Sequence, residues 1–98
     1  MNSIKQRTEE LLKNKGFELA EEQYSPKNFG SWYTEYSKGH NWVRLVWDGR
    51  EGYINFEQKY LSNSRDNKSW EQKVGCSIKN ENDWAKAEES IKNFIFSL

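Results

Sequence analysis

What this sequence has little of bounds what it can be. Net charge is absent: 15 Lys and Arg balance 15 Asp and Glu in 98 residues. No broad field therefore draws the chain to phosphates or to an anionic membrane, and neither nucleic acid nor a lipid surface is expected as a partner. Cys76 is the one cysteine. It excludes an internal disulfide, whereas secreted domains of this size are often stapled by several. No apolar run approaches the roughly 18 residues of a spanning helix, and residues 1–7 contain no apolar leader core, so the expected location is cytoplasmic. With one proline, no linker-like tract and no internal repeat, a single domain over residues 1–98 is expected.

Chemistry-bearing constellations are equally scarce. His40 is the one histidine and sits in a Lys38-Gly39-His40-Asn41 turn, with no second imidazole for a metal. One Cys and one His would need two carboxylates at ligand spacing to hold zinc. Cys76 lies on the apolar parity of its segment, where a small buried residue with an inert thiol is expected. Gly49 and Gly52 in Asp48-Gly49-Arg50-Glu51-Gly52 lack the Gly-Lys-Ser/Thr ending and following helix of a phosphate loop. Glu35, Asp48, Glu51 and Glu57 are carboxylates, but among fifteen acids some pair falls close by chance. No catalytic residue, metal or cofactor is assigned, and the expectation is that the chain is not an enzyme.

Aliphatics are few as well: six Leu, five Ile and three Val. Aromatics replace them, with five each of Trp, Tyr and Phe, each able to bury roughly 150–250 Å². A fold around an aromatic core follows. Ile4, Leu11 and Leu12 share one side of a helix over about residues 3–15. Ser3 and Gln6 form a capping box, and Gly16 with Phe17 a Schellman end. The period then changes to two. Strands are expected over about 17–23, 29–36, 42–47, 53–60 and 70–78, with Ser62 to Ser69 as a long polar loop. Asp48-Gly49 marks a hairpin. Trp84, Ala87, Ile91, Phe94 and Ile95 then repeat at helical spacing over about 83–96. This order predicts an α+β fold, a five-stranded antiparallel meander with the N- and C-terminal helices packed on one face.

Parity divides the sheet. Val43, Leu45, Trp47, Ile54, Phe56, Tyr60, Trp70, Val74, Cys76 and Ile78 form the apolar set that the helices require. Trp42, Arg44, Val46, Tyr53, Asn55 and Glu57 fall on the opposite face. Strand 29–36 is aromatic on both sides, and Trp32 and Tyr36 are assigned to the open face over the other choice, Phe29, Ser31 and Tyr33. The binding residues expected are thus Trp32, Tyr36, Trp42, Arg44 and Tyr53, residue types that dominate interface hot spots. Cross-strand aromatic pairing that only stabilises the sheet is the plain alternative. Aromatic stacking of RNA is disfavoured by Glu57 and by the neutral charge.

The stretch Arg44-Leu45-Val46-Trp47-Asp48-Gly49-Arg50-Glu51-Gly52-Tyr53, with Asn28-Phe29-Gly30-Ser31-Trp32 before it, resembles a segment of small uncharacterised bacterial proteins and names no activity. In size, neutrality and helix–meander–helix plan the chain is similar to immunity proteins of bacterial toxin systems. That resemblance implies a non-enzymatic, cytoplasmic binder of a toxin and carries over no site residue. A protein partner is therefore expected on the open face or at the 62–69 loop, and a second copy of this chain in a homodimer is the other occupant expected for that face. The other class kept open is a small-molecule-binding domain or minor enzyme with its ligand between sheet and helix.

Overall fold

The computed structural model describes residues 3–61 and 69–98. The elements follow as α1 (Ser3–Asn14), β1 (Glu18–Ser25), β2 (Ser31–Lys38), β3 (Asn41–Asp48), β4 (Tyr53–Tyr60), β5 (Glu71–Ser77) and α2 (Glu81–Phe96). Every strand pairs antiparallel with its neighbour in sequence, in the order β1-β2-β3-β4-β5. The α+β meander read from the sequence is the observed fold. The Ser62 to Ser69 loop lies almost wholly outside the described residues, as does the Ser3 side chain of the expected capping box. Among the described residues no helix is long and apolar enough to cross a membrane.

The helix ends are built as their residues require. Gly16 takes φ 92°, and the backbone N–H of Phe17 donates to Leu12 O while that of Gly16 donates to Lys13 O, both at 3.0 Å. These two bonds are the Schellman pattern, which seats Phe17 in the core. Lys38 Nζ then donates to Lys15 O at 2.7 Å, and Lys15 Nζ reaches Phe96 O at 3.2 Å, tying the end of α1 to β2 and α2. α2 begins two residues earlier than its apolar period suggests, because Asn80 is the N-cap. Its side chain accepts from Asn82 N–H at 3.0 Å, and Asp83 Oδ2 accepts from the N–H groups of Asn80 and Lys79 at 3.2 and 2.8 Å. Those backbone donors, Lys79 first, hold the Asp83 carboxyl below the usual aspartate range.

One core lies between the helices and one sheet face: Ile4 and Leu12 of α1, Val43, Leu45, Ile54 and Phe56 of the central strands, and Ala87, Ile91 and Ile95 of α2. Phe94 meets Phe56 edge-on at 5.7 Å, and Trp84 packs on Trp47 with ring centres 5.0 Å apart and planes tilted 45°. Tyr36 also belongs to this core, 0% exposed. Its hydroxyl donates to Glu9 Oε2 at 3.2 Å, and burial pushes its phenol up to about 12. Trp32 packs against the same cluster. Both were assigned to the open face from sequence, and both face the helices instead. Tyr60, expected in the core, is exposed at the sheet end and lies 6.2 Å from the His40 ring.

Two turns at one end of the sheet lock together. In the β3–β4 turn, Asp48 Oδ1 accepts from the N–H groups of Arg50 and Glu51 at 3.0 and 3.1 Å, and Gly52 closes it with φ 64°. The Gly49 N–H donates to Ser31 Oγ at 2.9 Å, and a β-carbon at Gly49 would collide with the Phe29 carbonyl oxygen of the β1–β2 turn. Gly49→Ala is therefore expected to cost about 1–3 kcal/mol through overpacking against rigid backbone, read by urea unfolding. Asp83 gives a pH signature. Its lowered carboxyl contributes stability that is present above the ordinary aspartate range and is lost as pH falls through its folded value. Asp83→Asn should lower the melting temperature at pH 7, with the gap to the parent closing in acid.

Candidate functional site

The face away from the helices carries the side chains of alternate positions in rungs across the sheet. One rung runs Glu21, Glu35, Arg44, Glu57, Gln72. The next runs Gln23, Tyr33, Val46, Asn55, Gly75. Trp42 pairs with Lys59 on one side of these rungs, and Asp48 with Tyr53 on the other. Of the five residues expected to form the site, Trp42 and Arg44 lie on neighbouring rungs of this face, and Tyr53 lies on the same face two rungs beyond Arg44, at its other end. Trp32 and Tyr36 do not lie on it.

Two bulges set these positions. Between Leu19 and Glu21 the register of β1 slips past Ala20, so Glu21 opposes Glu35 on the open face, whereas strict alternation would have placed it with Leu19. Between Val74 and Gln72 the register of β5 slips past Lys73, so Gln72 opposes Glu57. Trp70 therefore changes sides. Alternation from Val74, Cys76 and Ile78 places it in the core, but it lies on the open face beneath two cations. The Arg44 guanidinium sits 4.4 Å and Lys59 Nζ 4.6 Å from its ring centre. The mark of this slip was Gln72, a polar residue in an otherwise apolar series. For β2 the mark was Glu35, whose parity with Ser31, Tyr33 and Ser37 would have buried a carboxylate had that side been core.

Arg44 organises the face. Its Nε donates to Glu57 Oε1 at 2.6 Å, with the two side chains only 27% and 17% exposed, while its flat guanidinium covers Trp70. Such cation–π contacts contribute on the order of 0.5–2 kcal/mol, more when water is excluded. Tyr53 lies across Gly75: a side chain there would strike the Tyr53 hydroxyl, to which Gln72 Nε2 donates at 3.4 Å. Gly75 thus leaves room for an aromatic ring to lie flat on the strand, a known way of covering a glycine in a sheet. Tyr33 donates to Gln23 Oε1 at 2.9 Å. Trp70, Tyr53 and Tyr33 are each engaged by a neighbouring side chain.

The face also concentrates negative charge. Glu21, Glu35, Asp48 and Glu57 stand against Arg44 and Lys59. Burial, followed by the hydrogen bond and charge of Glu21 opposite, raises the Glu35 carboxyl above its ordinary value, although Arg44 and Lys59 pull it back. The linkage runs against stability at neutral pH. A raised carboxyl contributes most below the ordinary glutamate range, and that contribution is lost as pH rises through the folded value. Glu35→Gln should accordingly raise the melting temperature at pH 7 and leave it close to the parent at pH 4, by a pH series of thermal melts.

No protein-family model, curated protein or solved structure matches this chain.

Proposed function

We propose that this chain is a non-enzymatic binding domain whose open sheet face captures a protein partner, in the manner that the likeness to toxin-immunity proteins implies. The single observation that carries this reading is the grouping of Trp42, Arg44 and Trp70 at one end of a face from which both helices are absent, with Tyr53 farther along it. Arg, Trp and Tyr are the residues most enriched in interface hot spots. Arg44, Trp70 and Tyr53 are already engaged by neighbouring side chains, so little of their side-chain entropy remains to be lost on binding. The excess of carboxylates on the face argues against nucleic acid phosphates and for a partner with a basic surface.

The remaining chemistry fits binding rather than catalysis. The Arg44 guanidinium is engaged by Glu57 and Trp70, and Cys76 is half-buried with its thiol near the Asp83 carbonyl at 3.9 Å. A second copy of this chain is the other occupant such a face would accept. Light scattering separates the two, since a foreign partner requires a monomer at all concentrations and a homodimer does not.

Trp42→Ala and Arg44→Ala test the proposal. Each should abolish co-purification of the partner from native cells while leaving the core untouched, with Trp42→Ala changing the melting temperature least. Capture that survives both substitutions would overturn it.

A further inference from the structure

Independently of the open face, the helix-covered side ends in a cavity. A cleft of about 420 Å³ opens where α1, α2 and the β1–β2 turn meet, walled by Tyr24, Phe29, Trp32, Trp47 and Trp84, with Lys5 at its lip. Its volume is that of a small-molecule site. Tyr24 and Phe29 are 64% and 66% exposed, although each is a large aromatic beside other aromatics. Phe29 is held at φ 58°, a left-handed conformation in which a bulky residue is a genuine outlier. The tight seating of the Phe29 carbonyl against Gly49 fixes it there. Strain of this kind persists where surrounding structure imposes it, and it clusters at ligand clamps. The outcome is an aromatic ring displayed opposite a wall of tryptophans.

The polar chemistry of the cleft is one-sided. Its side chains own three indole N–H groups, the Tyr24 hydroxyl and the Lys5 ammonium, all donors, and only the Tyr24 oxygen can also accept. Lys5 Nζ spends one donor on Glu22 at 2.6 Å and lies 5.5 Å over the Trp32 ring. An ammonium has two more to give. A cationic ligand would meet Lys5 as a like charge and as a competitor for Trp32. A flat ring stacks between the aromatic walls, and an oxygen acceptor bearing negative charge answers the surplus of donors. We infer that this cleft binds a planar aromatic carboxylate, its ring between Phe29 and the tryptophan wall and its carboxylate on Lys5.

The experiment is a titration of the full ¹⁵N-labelled chain with 2-naphthoate, 2-naphthalenemethanol and 2-naphthylmethylamine, following the five indole N–H resonances, each assigned by a Trp→Phe variant. The resonances of Trp32, Trp47 and Trp84 should move, while those of Trp42 and Trp70 stay. The acid should bind with a dissociation constant of about 1 mM or tighter, the strength expected for a ligand of this size. The alcohol should bind about threefold or more weakly, as one solvent-accessible ion pair allows, and the amine more weakly still. Lys5→Met should erase the difference between acid and alcohol. Glu22→Gln, which frees the ammonium, should tighten the acid alone. Equal movement of all five indoles, no movement of the three cleft indoles at about 5 mM acid, or an alcohol that binds as well as the acid to the parent chain would each overturn the assignment.

Discussion

Two helices of 12 and 16 residues can cover one face of a five-stranded sheet, and everything else in this molecule adapts to that limit. The chain has few Leu, Ile and Val to bury, and nearly all of them go to the covered side. Aromatics complete that core at its edges, as where Trp47 meets Trp84 and Phe56 meets Phe94. The uncovered side is then left to stabilise itself. It does so with devices that operate at a wet surface: a guanidinium over an indole, an ion pair between neighbouring strands, and a tyrosine laid over a glycine. Those same devices fix the side chains from which the proposed binding surface is made, so the features that stabilise the open face are also the ones the proposal rests on.

How much of this was legible depended on whether strict alternation held. On β3 and β4 it does, and Val43, Leu45, Ile54 and Phe56 fall to the core while Trp42, Arg44 and Tyr53 fall outside, as their periodicity requires. The helices and the Gly16 stop were legible for the same reason: local rules decide them. Alternation fails where one residue is added to a strand. The bulges at Ala20 and Lys73 reverse everything beyond them, so Trp70 crosses from one face to the other, and a single sequence marks such a slip only by one polar residue in an apolar series. β2 fails differently. With Trp32 and Tyr36 on one side and Tyr33 on the other, hydrophobicity alone cannot choose, and the deciding term is the cost of burying Glu35.

The turn end of the sheet shows a related limit. Phe29 reads as a strand residue by composition, yet it occupies a left-handed turn position because the Asp48-Gly49 turn presses on its carbonyl. That contact joins residues twenty positions apart in sequence, and no local propensity contains it. Close backbone packing of this kind accompanies the change from an expected strand start to a displayed aromatic ring, and that ring forms one wall of the cleft beside α1.

The unbroken neighbour-to-neighbour strand order has a consequence for how the chain assembles. The β1–β2, β2–β3 and β3–β4 hairpins close short loops, so these four strands can pair without waiting for distant segments, an arrangement of low contact order for a sheet protein. The long-range contact is the meeting of the two helices, joined by the Lys15 ammonium on the Phe96 carbonyl across 81 residues. Each helix completes a shelter for the other, so the core on the covered face closes only when both have docked.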